Sequence, residues 1–208
     1  MTVRGLIFDY GGVLWDMRWD AARELERQHG LAERSITGTM YGSDVWRQLE
    51  VGLGDRDAWL AGAHRELEAV AGRELPPLHQ HWRDRQHLIA PNIELVRRLR
   101  PPYKTAVLSN AEGTLVDRMK NVHGIYDLFD EVVCSAEVGL AKPDPRIYAL
   151  AARRLSLEPG ECLFVDDLAS NVEAARRAGM NAVQFLVYEG DDLEAQLAEF
   201  GVRTRPST

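Results

Sequence analysis

Six polar side chains of the sequence lie at the ends of short apolar runs or soon after them. They are Asp9, Ser109, Asn110, Lys142, Asp166 and Asp167. Three carboxylates, a hydroxyl and an ammonium in one place would combine hard oxygen ligands with one compact cation. Carboxylate-rich sites of this kind suit Mg²⁺, which binds one or two carboxylates and takes further oxygen ligands from phosphate and water. The residue types therefore indicate a metal site that could also receive a phosphorylated molecule.

The apolar runs that precede these residues predict the strands of a parallel sheet. The predicted strands span 3–8, 104–108, 131–134, 162–165 and 182–187. Their apolar character is continuous rather than alternating, which is typical of a sheet covered by helices on both faces. Helical patterns alternate with the strands from residue 91 onward, which favours right-handed crossovers and an α/β, Rossmann-like fold. Since ligands bind beyond the carboxyl ends of such strands, we expect the six side chains to meet at one rim.

The segment 15–89 differs from the rest of the chain. It has no clear strand and is predicted to form several amphipathic helices, including 21–29, 57–71 and 77–87. All five tryptophans lie in it, and the run that holds His79, His81 and His87 is interpreted as a solvated helix face. We therefore predict a discontinuous core domain, 1–14 and 90–208, with an all-helical cap domain, 15–89, inserted after the first strand.

The charge of the chain limits the choice of partner. Its 208 residues include 25 basic and 32 acidic side chains, and the formal net charge is −7. A surface of this sign repels nucleic acid and anionic membranes, so neither is expected as a partner. No apolar stretch is long enough to span a membrane, no secretory leader is apparent, and both cysteines lie in apolar runs. A cytoplasmic protein, either a monomer or a homodimer, is expected.

Four motifs, in order along the chain, resemble those of the haloacid dehalogenase-like (HAD) hydrolase superfamily. They are FDYGGVL (8–14), LSN (108–110), KPD (142–144) and FVDD (164–167). The spacing DDxxxN (166–171) and the pattern WxxLExG (46–52) resemble the subgroup with a helical cap after the first motif. Within it, the chain is most similar to sugar-phosphate (glucose-1-phosphate type) phosphatases and to the phosphatase domain of soluble epoxide hydrolases.

The resemblance implies a Mg²⁺-dependent phosphatase for a small phosphorylated metabolite, and a sugar phosphate is expected. Asp9 would be the nucleophile that forms an aspartyl-phosphate, and its second oxygen would bind Mg²⁺ together with the Gly11 carbonyl. Asp167 would be the second carboxylate ligand, with Asp166 either assisting at the metal or pairing with Lys142. Ser109 and the Asn110 backbone N–H would hold the phosphoryl oxygens, and Lys142 would neutralise charge.

One position departs from the family pattern. The usual phosphatase has a second Asp two residues after the nucleophile, where it protonates the leaving group, and this chain has Gly11 there. Losing a general acid typically costs about 10²–10⁴-fold in rate. Three interpretations follow: a preference for good leaving groups such as anomeric phosphates, replacement by another group or a water chain, or poor turnover. We favour an active enzyme that is slower or selective for its leaving group.

Two other functions fit parts of the pattern. A 2-haloacid dehalogenase would use the same nucleophile on carbon without a metal, and Arg47 could bind the halide, but it has no use for the pair Asp166 and Asp167. A catalytically silent binding module is favoured only by Gly11, and the presence of Asp9, Lys142 and Asp167 argues against it. Metal dependence separates the phosphatase from the dehalogenase.

Overall fold

A computed structural model describes residues 2–204 of the chain. The strands are β1 (Gly5–Phe8), β2 (Trp15–Asp16), β3 (His87–Leu88), β4 (Lys104–Ser109), β5 (Glu131–Cys134), β6 (Cys162–Asp166) and β7 (Asn181–Gln184). The α-helices are α1 (Trp19–Gln28), α2 (Ser35–Tyr41), α3 (Asp44–Leu49), α4 (Arg56–Ala71), α5 (Leu78–Arg83), α6 (Ala90–Leu99), α7 (Leu115–Asp117), α8 (Ser135–Val138), α9 (Pro145–Arg154), α10 (Ala169–Arg177) and α11 (Leu193–Glu199). A π-helical turn, Arg118–Val122, continues α7, and 3-10 turns occupy Tyr126–Leu128, Pro159–Glu161 and Val187–Glu189.

Five strands form one parallel sheet in the order β5-β4-β1-β6-β7. These are the five strands predicted from the apolar runs, so the α/β fold class is confirmed. The last strand ends earlier than predicted, at Gln184 rather than 187. The chain leaves the sheet there because the backbone N–H of Leu186 donates to the side chain of Asp191, 2.8 Å away, instead of to a neighbouring strand.

The central strand explains why the apolar runs are continuous. Leu6 and Phe8 of β1 pack into one cluster of buried residues, while Ile7 packs into a second cluster that includes residues of α9 and α10. Successive side chains of a strand point to opposite faces, so a strand covered on both faces needs an apolar residue at every position. The sheet is therefore the middle layer, and its polar groups are confined to the strand ends.

The segment 15–89, called the cap segment below, has its own cluster of buried side chains, which includes Trp46, Trp59 and Trp82. The prediction that it contains no strand is wrong, because β2 and β3 form a short antiparallel pair in which Trp15 lies opposite Leu88. A two-residue strand has too little alternation to be detected in the sequence. The division into a core domain (1–14 and 90–208) and a cap domain (15–89) stays a prediction. Across residues 2–204, no helix combines the length and the apolar character needed to cross a membrane.

His79 corrects the interpretation of the histidine run as a solvated face. It is only 5% exposed, and its Nε2 atom lies 2.9 Å from the hydroxyl of Thr39. Burial, with a smaller contribution from His64, lowers the pKa of His79 from 6.5 to about 4. The folded protein therefore holds this imidazole neutral at a pH where the unfolded chain would already protonate it.

We expect His79 to make the folded state less stable in acid. Its neutral form is fully compatible with the fold above pH 6.5, and stability falls as the pH drops from about 6.5 towards about 4, because the unfolded chain then binds the extra proton. The slope from this one group is at most about 1.4 kcal/mol per pH unit. Urea unfolding at several pH values should show a shallower pH dependence for His79→Gln than for wild type, whereas the exposed His81→Gln should match wild type. Equal slopes for His79→Gln and wild type would contradict the prediction.

Candidate active site

The candidate site lies at the carboxyl ends of the three central strands. The register pairs Phe8 with Val107 on one side and with Val165 on the other, so the residues that follow lie at the same level of the sheet. Asp9, Ser109 and Asp166 are therefore brought together by strand register alone. One carboxylate oxygen each of Asp9, Asp166 and Asp167 lies within 4.8 Å of the others.

Lys142 reaches this rim from the loop between α8 and α9. Its Nζ atom lies 3.0 Å from Asp9 Oδ1 and 2.6 Å from Asp166 Oδ2. Burial disfavours the ammonium, but the charges of Asp166 and Asp9 outweigh it and raise the pKa of Lys142 above its usual range. The Asn110 side chain holds this loop, since its amide N–H donates to the Lys142 carbonyl and its oxygen accepts from the Lys142 N–H, both at 2.8 Å. Lys142 is thus a fixed positive charge beside Asp9.

Asp166 and Asp167 have different surroundings although they are adjacent. The oxygens of Asp166 accept hydrogen bonds from Lys142 Nζ, from the Leu168 backbone N–H at 2.8 Å and from the Asn171 amide at 3.0 Å. Asp167 makes no side-chain hydrogen bond to the part of the chain that the structure describes, and it lines the cavity. Asp166 is therefore used to hold Lys142 and the loop, and Asp167 is the carboxylate left free for a ligand.

The three carboxylates together carry more negative charge than Lys142 can balance. Burial raises the pKa of Asp9 to about 8. Lys142 lowers this pKa, but the charges of Asp166 and Asp167 raise it and so offset part of the effect of Lys142. Burial and the charge of Asp166 likewise raise the pKa of Asp167 to about 7. Crowded, buried oxygen donors with unbalanced negative charge are what a divalent cation with hard oxygen ligands requires. The donor set therefore fits Mg²⁺.

The two glycines after Asp9 have different requirements. Gly12 has φ 80°, and a Cβ there would come closer than 3.0 Å to the Asp167 carboxylate. Only glycine combines this backbone conformation with so close an approach. Gly11 lies outside the left-handed region, and a Cβ there would meet only the flexible side chain of Met17, with Sδ at 3.3 Å. The backbone therefore does not require glycine at position 11.

A cavity of about 1000 Å³ separates the rim from the helices of the cap segment. All the predicted site residues except Asp166 line it, namely Asp9, Gly11, Ser109, Asn110, Lys142 and Asp167. Other lining residues were not assigned a role from the sequence: Tyr10, Glu50, Arg83, Glu112 and Arg118. The pattern WxxLExG contained a signal for Glu50. No sequence signal distinguished the others, because they meet only through packing of the cap segment on the sheet.

Glu50 directly follows α3 and is half-buried in the cavity wall. Burial raises its pKa, and the nearby Asn110 side chain and the charges of Arg47 and Lys142 oppose this change. The turn after Glu50 packs closely on α8 at Gly52, which has φ 81° and lies directly over the backbone carbonyl of Ala136. A side chain at position 52 would overlap that carbonyl, so glycine is needed to bring Glu50 close to the Lys142 loop.

Comparison with known proteins identifies the family of the chain. A family model for haloacid dehalogenase-like hydrolases matches residues 3–179. The chain is 34% identical over 195 residues to Phosphatase MT3486 of Mycobacterium tuberculosis, covering 88% of this chain and 87% of the relative. It is 28% identical over 187 residues to the fructose-1-phosphate phosphatase YqaB of Escherichia coli, covering 86% of this chain and 94% of that protein.

Solved structures share the fold. A HAD family enzyme of Bacteroides thetaiotaomicron, solved in complex with magnesium and inorganic phosphate, is 20% identical with a TM-score of 0.69, covering 93% of this chain and 98% of that chain. An L-2-haloacid dehalogenase of Xanthobacter autotrophicus is 22% identical with a TM-score of 0.64, covering 99% and 90%. At these identities the likeness extends to the fold and does not separate one activity from another. On the match to its family model and its curated relatives, the chain belongs to the haloacid dehalogenase-like hydrolases.

Proposed function

We propose that the protein is a magnesium-dependent phosphatase that acts on a small phosphorylated metabolite, and we favour a sugar phosphate. The observation that carries the proposal is the set of Asp9, Asp166 and Asp167 oxygens within 4.8 Å of one another, with Lys142 beside two of them. A dehalogenase would not need this excess of negative charge at its nucleophile. The two phosphatase relatives, one of them named for fructose 1-phosphate, support the same reaction and substrate class.

Asp9, Asp167 and the Gly11 carbonyl would hold the metal, which would supply positive charge to the phosphoryl oxygens. Asp9 is the proposed nucleophile: one carboxylate oxygen bonds to phosphorus while the bond from phosphorus to the ester oxygen breaks, giving an aspartyl-phosphate. Lys142, 3.0 Å from Asp9, favours the ionised form of this carboxylate against the effect of burial, and the positive charge of the metal would add to that effect. Water then attacks the same phosphorus, and Asp9 leaves as a free carboxylate together with inorganic phosphate.

The departing ester oxygen needs a proton, and Gly11 has no side chain to supply one. In an in-line displacement the leaving oxygen lies opposite the nucleophile, so it points from Asp9 towards the cap segment. Glu50 is a cap carboxyl that lines the cavity near Asn110 and Lys142. We propose Glu50 as the general acid that donates this proton.

The other glutamates of the cavity wall are less suited to this role. Glu26 accepts hydrogen bonds from the backbone N–H groups of Arg34 and Ile36, at 3.0 and 2.9 Å, and so caps α2. Glu112 accepts from the backbone N–H and hydroxyl of Thr114, at 2.8 and 2.7 Å. Glu33 is exposed to solvent rather than held in the cavity wall. Glu50 combines partial burial with a carboxyl that accepts no backbone hydrogen bond among the described residues.

Removing the metal should abolish turnover. We expect EDTA to lower phosphate release from p-nitrophenyl phosphate by about 10³-fold or more, because the uncompensated carboxylates repel the phosphoryl group, and excess Mg²⁺ to restore it. The assay should include sugar 1-phosphates and sugar 6-phosphates. Faster release from 1-phosphates, whose anomeric oxygen is the better leaving group, would support the favoured substrate class.

The same preparation tests the alternatives. Halide release from 2-haloacids that is insensitive to EDTA would replace the phosphatase with a dehalogenase. No turnover of any phosphate ester or haloacid, in a protein that is folded by circular dichroism, would favour a binding module.

A further inference from the structure

Three arginines surround one buried carboxylate at the contact between the cap segment and the sheet. Arg56 Nε lies 3.6 Å and Arg118 Nη2 lies 4.0 Å from Glu112 Oε1. Arg83, the third, lies near enough to the other two that their charges, in addition to burial, lower its pKa. We call Arg56, Arg83 and Arg118 the arginine cluster. Arg56 also lies 3.8 Å from the exposed carboxylate of Asp57. Among the described residues, three positive charges therefore face two carboxylates, which leaves one positive charge unbalanced.

Several donors of this region are buried without a hydrogen-bond partner in residues 2–204, although one of them, Arg56 Nε, lies 3.6 Å from Glu112. They are the Nε atoms of Arg56 and Arg118 and the hydroxyl of Tyr10. Tyr10 is only 4% exposed, and its ring stacks on Trp15 with centroids 6.0 Å apart, so its hydroxyl has a fixed position. A buried donor without an acceptor destabilises the fold, and more so when it is charged. Buried donors of this kind are expected where a bound ligand supplies the missing acceptor.

Arg83 and Arg118 of the cluster lie in the same cavity as the nucleophile. Tyr10 directly follows Asp9, and Glu112 comes three residues after Ser109. Arg83, Arg118 and Tyr10 line the cavity that Asp9, Ser109 and Lys142 also line. A molecule with its phosphoryl group at Asp9 can therefore extend to the cluster without leaving the cavity.

Building on the phosphatase proposed above, we infer that Arg83, Arg118 and Tyr10 bind a second anionic group of the substrate, while Arg56 pairs with Glu112 beside them. The substrate class is then a small phosphate monoester that also carries a carboxylate or a second phosphate. Arginine presents several N–H donors in a plane, which suits both of these groups. If the cluster only joined the cap segment to the rest of the protein, the ion pair between Arg56 and Glu112 would be sufficient. That role would not explain Arg83, which has no carboxylate within 4.0 Å among the described residues.

Matched substrates test the inference. 3-Phosphoglycerate and glycerol 3-phosphate differ in having a carboxylate or a hydroxymethyl group at the far end, and p-nitrophenyl phosphate reports the chemical step alone. We expect wild type to favour 3-phosphoglycerate in kcat/KM. Arg83→Gln and Arg118→Gln should each lower that value by about 10- to 100-fold, with activity on the two substrates without a second anion within about threefold of wild type.

Arg23→Gln, at an exposed arginine of α1 that lines the same cavity, is the matched control and should leave the preference unchanged. An unchanged preference in Arg83→Gln and Arg118→Gln, or no preference in wild type, would overturn the inference. If no phosphate ester is hydrolysed, the phosphatase proposal fails. Calorimetric binding of 3-phosphoglycerate against glycerol 3-phosphate, in wild type and Arg83→Gln, still decides whether the cluster binds an anion.

Discussion

Asp9→Asn is expected to lower phosphate release by at least about 10⁴-fold at saturating Mg²⁺, because an amide neither attacks phosphorus nor offers a charged oxygen to the metal. Asn has nearly the same shape as Asp, so the surrounding packing is kept. The measurement is kcat with p-nitrophenyl phosphate, whose good leaving group makes the first step least dependent on a general acid. Asp127→Asn, at an exposed carboxylate of the 3-10 turn Tyr126–Leu128, is the matched control and should retain full activity.

Stability distinguishes this loss from misfolding. The raised pKa of Asp9 means that its ionised form is disfavoured by the fold, so this carboxylate destabilises the metal-free protein increasingly as the pH rises from about 4 to about 8. Removing its charge also relieves the repulsion from Asp166 and Asp167. We therefore expect metal-free Asp9→Asn to melt at a temperature no lower than wild type at pH 8. Retention of more than about 1% of wild-type activity would contradict the role of Asp9 as nucleophile.

The sequence predicted the sheet and its rim because both depend on local signals. Short, continuous apolar runs separated by helices define a parallel sheet, and the polar residue after each run then lies at one edge. Asp9, Ser109 and Asp166 need nothing more than the register of β1, β4 and β6. The sequence did not predict that the Asn110 side chain holds the Lys142 loop, since that contact joins residues 32 positions apart in two irregular segments.

The cap segment was predicted less well, for the same reason. His79 looks solvated in a run of polar residues, and only the packing of α5 on α2 shows that it is buried against Thr39. The arginine cluster combines side chains from α4, α5 and the π-helical turn after α7, which have no common spacing along the chain. Contacts between elements distant in sequence decide these positions, whereas residue patterns report only the contacts that a single helix or strand imposes.

Glu50→Gln gives the second large expected effect. If Glu50 protonates the leaving oxygen, its loss should lower kcat by about 10²–10³-fold for sugar 6-phosphates and other alkyl phosphates, but by less than about tenfold for p-nitrophenyl phosphate, whose phenolate leaves without a proton. Glu33→Gln, at an exposed carboxyl of the same cavity, should leave kcat on both substrates unchanged.

The groups facing Glu50 are Arg47, Lys142, Asn110 and Trp46. Of these groups, Lys142 has a pKa raised above its usual range and keeps its charge across neutral pH. A basic limb that disappears from the pH profile in Glu50→Gln therefore reports Glu50 itself.

Restoring the usual acid at position 11 makes the test sharper. Gly11 has an unstrained backbone and needs only a shift of the Met17 side chain to accept a carboxylate, so Gly11→Asp is expected to fold, which its melting temperature will verify. In the double variant Gly11→Asp, Glu50→Gln, turnover of alkyl phosphates should recover by at least about tenfold over Glu50→Gln alone, because either carboxyl can protonate the same oxygen. Equal loss on both substrate types in Glu50→Gln would instead assign Glu50 to substrate binding. A folded double variant without recovery would mean that the proton reaches the leaving oxygen by another route, such as water. Recovery would show that Glu50, a carboxylate of the cap segment, protonates the leaving oxygen in this protein, a role that an Asp at the position of Gly11 has in other members of the family.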